Sequence, residues 1–318
     1  MTTDNGAAED KKPLNIFIGS KGLRAGWGVL LFIAVFAALG FGVVMLAKAL
    51  HIAAPGADDM TPTTVLAGEG IQAGLVVVAT LITALIERRP LSQIGLGTTN
   101  AVPRFLQGLL LGFVALSAVI GVLWLCHAFV FDGIALHGKD IWIYGVEWLG
   151  AFLLVGINEE FMFRVYLQQT LARGLNYTVA AVIMGVLFFI AHMGNGGETP
   201  IGLGEVFSAG VLLSVAIWRT GTVWWSIGFH AAWDWAQSYV YGVADSGLVS
   251  KGALMASHPM GPAWLSGGTT GPEGSIVSII VTLVAAILIW FMAPKQDVKL
   301  RIRLLFEKEP PAPQQDVF

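Results

Sequence analysis

The run Asn158-Glu159-Glu160-Phe161-Met162-Phe163-Arg164 sets two adjacent carboxylates and a guanidinium inside an otherwise apolar stretch. Trp148-Leu149-Gly150-Ala151-Phe152-Leu153-Leu154-Val155-Gly156-Ile157 precedes it and Val165-Tyr166-Leu167 follows. An ionised group held in hydrocarbon costs roughly 3 kcal/mol or more, so such residues face a partner or a wet cavity. On a helix Glu160 and Arg164 stand i and i+4 and can pair. Glu159 lies about 100° round the same helix. Neighbouring acids repel, so one of them holds a proton unless a cation or a metal is close. A structural ion pair with a spare acid would account for the run by itself; what else lies at the same depth decides whether it does more.

The composition places the chain in a membrane. Of 318 residues, 55% are hydrophobic and only 12% are charged, against about 25% charged in soluble domains; the mean hydropathy is +0.72. No soluble segment is long enough to bury a core of its own. One membrane domain is therefore expected over 27–293, between a polar tail at 1–26 and a cytoplasmic tail at 294–318. Cys126 is the only cysteine, which excludes an internal disulfide and a CxxC-type metal site. The polar N-terminus lacks a short apolar region with a small-residue cleavage site, so the first span is expected to be retained.

About eight runs reach the roughly 17–25 apolar residues that cross a bilayer. Their cores are Trp27–Ala47, Val65–Ile86, Phe105–Phe131, Tyr144–Leu171, Tyr177–Met193, Ile201–Trp218, Thr222–Tyr241 and Ile276–Met292. Continuous apolar runs, without the alternation of lipid-facing strands, predict an all-α polytopic bundle rather than a barrel. The fifth and sixth are short enough to be tilted or re-entrant. With the N-terminus inside, the cytoplasmic segments collect Lys11, Lys12, Lys21, Arg24, Arg88, Arg89, Arg104, Arg173, Arg219, Lys295, Lys299, Arg301, Arg303 and Lys308. The opposite loops hold Lys48, Lys139 and Lys251. That asymmetry puts both termini in the cytoplasm. The link from Gly242 to Gly274 is long for a membrane connection; it reads either as a plain surface loop or as one that shapes substrate entry.

Three further polar residues fall inside the apolar runs. His192 ends Leu187-Phe188-Phe189-Ile190-Ala191-His192, and His230 with Asp234 lies in Gly228-Phe229-His230-Ala231-Ala232-Trp233-Asp234, i and i+4 on one face. At about 1.5 Å per residue, Glu159, His230 and His192 come to overlapping depths. Each alone reads as a hydrogen-bonded packing residue. Together, acids on one helix and imidazoles on two others satisfy each other only if the three helices converge. The resulting cluster suits several chemistries. A glutamate can deprotonate a water shared with an imidazole while a second polar group stabilises the oxyanion. Glu159, His192 and His230 could instead ligate zinc, leaving Glu160 as base. A proton or cation relay uses the same residue types. A helical HExxH is absent, and no nucleotide or nucleic-acid motif is present.

Glu159-Glu160-xxx-Arg164, Phe188-xxx-His192 and His230-xxx-Asp234, in this order and one per helix, resemble the motifs of the CPBP family of intramembrane proteases, the CAAX protease and bacteriocin-processing or abortive-infection family. The likeness covers about Trp142–Tyr241, the expected protease core 142–241. Glu87-Arg88-Arg89-Pro90 and Gly95-Leu96-Gly97 also look like the charged turn and Gly-Leu element that precede the family core. The resemblance implies that Glu159 is the water-activating base and His192 its partner on the water. It implies that His230 and Asp234 line the oxyanion side and that Glu160 and Arg164 brace the site. Many members carry asparagine where this chain has Asp234; a charged aspartate repels an oxyanion, so Asp234 is expected to be protonated or paired with His230.

The implied function is an intramembrane endopeptidase acting on a peptide or membrane-protein segment, with zinc as a conditional cofactor, the lipid bilayer as surroundings and no nucleic-acid partner. The bacterial inner membrane is the expected location. A catalytically idle immunity or scaffold protein, or a proton-coupled transporter, are the alternatives, although no internal repeat supports a transporter. Trp218, Trp224 and Trp225 read as interface anchors, whereas Trp233 and Trp235 are deep enough to wall the site. No role is assigned to His51, His127, His137 or His258.

Overall fold

A computed structural model describes residues 16–19, 22–52 and 60–292. The expected tail 294–318 and most of the tail 1–26 lie outside these residues, as do Lys11, Lys12, Lys21 and the lysines and arginines from Lys295 onward. The described chain is mostly helical. In order it forms α1 (Ala25–Ala49), α2 (Pro62–Ile86), α3 (Ala101–Leu125), α4 (Asp140–Glu160), α5 (Tyr166–Gly174), α6 (Tyr177–His192), α7 (Pro200–Thr220), α8 (Trp224–Trp235), a short α9 (Ala263–Ser266) and α10 (Ile276–Met292). The starts follow local capping chemistry. Thr61 and Thr64 cap each other's backbone ahead of Pro62, Asn176 Oδ1 accepts from Val179 N at 2.8 Å, and Thr199 caps α7 ahead of Pro200. Such side chains satisfy amides that a helix N-terminus leaves without partners.

Five helical runs are long and apolar enough to cross a membrane: Ala25–Ala49, Pro62–Ile86, Ala101–Leu125, the continuous Asp140–Gly174, and Pro200–Thr220. Tyr177–His192 and Ile276–Phe291 are apolar but shorter. Within Asp140–Gly174 the helix widens into π turns over Phe161–Val165, and α8 continues as a π segment, Ala236–Val240. Both widenings fall beside the polar residues singled out from the sequence, where such bulges are frequent.

Two expectations need correction. The third span does not run to Phe131: α3 stops at Leu125, Cys126 caps it, and His127 turns the chain with a φ of 57°. Beyond it, β1 (Phe129–Ile134) pairs antiparallel with β2 (Met255–Pro259), Phe129 opposite Pro259 and Ile134 opposite Met255. This ladder and a two-residue one at Ile18–Gly19 and Gly22–Leu23 qualify the all-α expectation. β2 also shows that the Gly242–Gly274 link is built structure rather than a plain loop.

α8 is buried at the centre, between α3 and α4. Its approach to α3 depends on glycines. A methyl group on Gly108 would stand 2.0 Å from Trp225 O, and one on Gly228 2.2 Å from Phe105 O. Gly112 makes the same approach, with an added methyl group 2.2 Å from Phe229 O, and at these glycines the two backbones touch, the close approach that small residues allow inside membranes. Trp225 is consequently 1% exposed and belongs to the core, not to the interface anchors. α4 packs on α2 and α8, α6 on α7, and α7 on α10.

Candidate active site

The apolar sequence of α4 places Glu159 and Glu160 on its last turn, and the π turns that follow swing Arg164 back toward them. Arg164 Nη1 lies 2.9 Å from Glu160 Oε1, with both side chains fully buried. The guanidinium also lies over the Phe188 ring, 4.1 Å from its centroid, a cation–π contact that offsets part of its desolvation. From α8, His230 Nδ1 donates to the same Glu160 oxygen at 3.1 Å. The other ring nitrogen, Nε2, stands 3.4 Å from Glu159 Oε2 and 3.6 Å from Asp234 Oδ2. Glu160 thus fixes the imidazole, and Nε2 faces the remaining two acids. Glu159 Oε2 accepts no hydrogen bond among the described residues.

Five of the six residues expected from the sequence, namely Glu159, Glu160, Arg164, His230 and Asp234, therefore meet directly. His192 comes close but not into contact. Its Nδ1 is bonded to Phe188 O at 2.9 Å, and its ring packs on the Phe188 edge with 4.5 Å between centroids. Phe188 also meets His230 edge-on at 6.2 Å, so one phenyl ring packs against both imidazoles. Glu159, His192, His230 and Asp234 share one cavity of about 600 Å³, large enough for a peptide segment.

The ligand set considered for zinc does not fit this arrangement. Zinc needs donor atoms about 2.0–2.2 Å from a common point. Among the described residues, three donors within 4.8 Å of one another occur at Asp234, Asp245 and Glu273, and not at Glu159, His192 and His230.

The structure adds acids that the sequence reading passed over. Glu69 on α2 accepts from Asn158 Nδ2 at 2.9 Å, and Glu205 on α7 accepts from Thr282 Oγ1 at 2.8 Å. Both line the cavity. Each is a carboxylate within an apolar run, the same signal that singles out Glu159. Asp245 and Glu273 come from the Gly242–Gly274 link, which folds over the cavity mouth. Trp233 Nε1 donates to Glu273 Oε1 at 2.8 Å, Ser246 N to Glu273 Oε2 at 2.9 Å and Ser238 Oγ to Asp245 Oδ2 at 3.0 Å. Trp233 lines the cavity as expected, but Trp235 turns away and donates to Gly145 O.

Among the described residues, no lysine or arginine lines this cavity. Burial, and then the Glu273 charge, push Asp245 well above the ordinary carboxylate range; burial beside Glu273 pushes Glu198 up to about 7. Two unit charges ~4.8 Å apart repel by roughly 3–4 kcal/mol at an effective dielectric of ~20. The acids of the mouth therefore share protons or a cation.

The cavity opens between the start of α2, at Met60 and Thr64, and the segments carrying Asn195, Ser246 and Leu248. Arg88, Arg104, Arg173 and Arg219 lie at the opposite ends of the helices. There the charged turn braces the bundle: Arg173 pairs with Glu87 at 3.3 Å, Arg89 Nη1 donates to Thr170 at 2.8 Å, and Trp224 Nε1 donates to Gly97 O at 2.8 Å.

Residues 141–236 match the family model described as type II CAAX prenyl endopeptidase, Rce1-like. The matched segment starts in α4, ends just beyond α8 and carries all seven residues of the three motifs, in accord with the resemblance read from them. No curated protein matches the chain.

Proposed function

We propose, taking residues 141–236 as a CAAX-type protease core in a multi-pass integral membrane protein, that the chain is an intramembrane endopeptidase hydrolysing a peptide bond of a membrane-associated protein or peptide. The observation that carries this reading is the convergence of Glu159, His192 and His230 from three apolar helices on one cavity. A glutamate with an oxygen free of hydrogen bonds, beside an imidazole, is suited to general-base chemistry.

In this mechanism Glu159 takes a proton from water as the water oxygen bonds to the scissile carbonyl carbon. His192 orients that water through Nε2, because Nδ1 is engaged by Phe188 O. The carbonyl electron pair moves onto oxygen and is stabilised from His230 Nε2. Glu160, held by Arg164, fixes the orientation of the His230 ring. The tetrahedral carbon then releases the amine as Glu159 returns the proton to its nitrogen. Asp234, next to His230 Nε2, serves the oxyanion side only when its own charge is compensated. Eight crossings with both termini cytoplasmic accompany this reading, so the cavity opens on the extracytoplasmic face.

The test is cleavage of a peptide library by protein reconstituted in nanodiscs. Glu159→Ala and His192→Ala are each expected to lower turnover by about 10²–10⁴-fold while preserving monodispersity and melting temperature. Turnover undiminished in either folded variant would overturn the assignment.

A further inference from the structure

The mouth segment brings two acids to a third supplied by α8. Asp234, Asp245 and Glu273 each offer a carboxylate oxygen, and the three atoms lie within 4.8 Å of one another. The residues are 6%, 8% and 6% exposed. Oxygens around a shared calcium ion, each about 2.3–2.6 Å from it, stand up to about 5 Å apart. Magnesium, which gives up its water reluctantly and is usually held through one or two carboxylates, is the poorer match to a set of three.

A side chain from another helix points to the same ligand. Glu205, 2% exposed on α7, has its Oε1 taken by Thr282, whereas its Oε2 accepts no hydrogen bond among the described residues. It lines the same cavity, and its charge acts on Asp234 and Glu273. Asp234 accepts no hydrogen bond among the described residues either, and His230 Nε2 stands 3.6 Å from its Oδ2. The other two acids are held from behind by Trp233, Ser246 and Ser238, the kind of outer support that orients metal ligands. Among the described residues no lysine or arginine lines the cavity, so no permanently charged side chain on the wall offsets this cluster.

We propose that Asp234, Asp245 and Glu273 bind a calcium ion, with Glu205 facing it and cavity water completing the shell. The ion ties the Gly242–Gly274 segment to α8 and neutralises Asp234 beside His230. The second effect rests on the endopeptidase reading, because it removes the repulsion a charged Asp234 would exert on an oxyanion. Binding itself does not depend on that reading. On an extracytoplasmic face a site of modest affinity suffices, with a Kd between roughly 10⁻⁵ and 10⁻³ M.

Terbium, which substitutes for calcium, reports on the site because Trp233 lies against Glu273 and can sensitise its emission. In the full-length protein in nanodiscs, we expect saturable terbium emission displaced by calcium at lower concentration than by magnesium, and a calcium-dependent rise in melting temperature. Asp245→Asn and Glu273→Gln should each weaken calcium at least roughly tenfold, and Asp132→Asn, at an exposed carboxylate on β1 paired with His258, should leave binding unchanged. Emission that calcium does not displace in folded wild-type protein overturns the site. So does emission that survives in folded Asp245→Asn/Glu273→Gln protein, or displacement by a lysine peptide or magnesium in preference to calcium. Calcium binding without peptide cleavage would count against the endopeptidase alone, and cleavage without calcium binding against the ion site alone.

Discussion

His230 Nδ1 meets Glu160 Oε1 at 3.1 Å, a single contact that joins α8 to α4 in the interior of the bundle. The same oxygen receives Arg164 Nη1 at 2.9 Å. One carboxylate oxygen thus serves two nitrogen donors, and neither helix can rotate without stranding a buried polar group. The neighbouring Glu159 is left free to face the cavity.

Arg164→Ala is expected to destabilise the protein by about 3–5 kcal/mol, because it leaves Glu160 buried beside a single imidazole. The double variant Glu160→Leu/Arg164→Met should recover much of that loss, since no charge is then stranded. Denaturant unfolding in detergent measures both. A loss under about 1 kcal/mol in Arg164→Ala would mean that the pair is not the brace described.

Gly228→Ala tests whether the position of the site depends on the α3–α8 approach. Its methyl group would stand 2.2 Å from Phe105 O, so the backbones have to separate. We expect a loss of about 1–3 kcal/mol together with roughly 100-fold lower turnover, because small displacements of reacting groups are costly. Gly121→Ala on α3, where an added methyl group meets nothing within 4 Å, is the control and should change neither. Equal effects from the two substitutions would remove packing as the cause.

Glu198 gives the mouth a pH dependence. Burial, first, and the nearby Glu273 raise it from 4.5 to about 7, with His192 acting in the opposite direction. A carboxyl group whose folded value is raised binds its proton more tightly in the folded state. Its contribution is therefore fully present below pH 4.5 and is lost as pH rises through about 7. Near Glu198, Gly197 O accepts from Thr269 and Thr270, which ties the two mouth segments together. Hydrogen exchange of residues 195–200 should accelerate between pH 5 and pH 8 beyond the intrinsic rate change. Glu198→Gln should remove that excess; an unaltered profile in the variant would assign the effect elsewhere.

Much of the site was readable before any fold. The Glu160–Arg164 pair follows from helical spacing, and it survives even though the helix widens to π turns at Phe161. His230 and Asp234 share a face because they are four residues apart on α8. Glu69 and Glu205 were equally readable, as charged residues in apolar runs, but lie outside the recognised motifs. Asp245 and Glu273 were not readable at all: in a Gly- and Pro-rich link an acid looks like any solvated loop residue. His192 shows the limit in another way, since spacing gave its depth but not that its Nδ1 would be held by Phe188 O and its ring packed on the Phe188 edge.

What the amino-acid order determined alone is therefore local: helical runs, their polarity, and which side chains share a face within one run. Hydropathy and a period of about 3.6 residues act over a few turns. The tertiary structure decided which faces met and what covered the mouth. Contacts such as Gly228 against Phe105, or Glu273 against Trp233, join residues more than a hundred or about forty positions apart, and they form only where backbones can touch and a returning segment can reach.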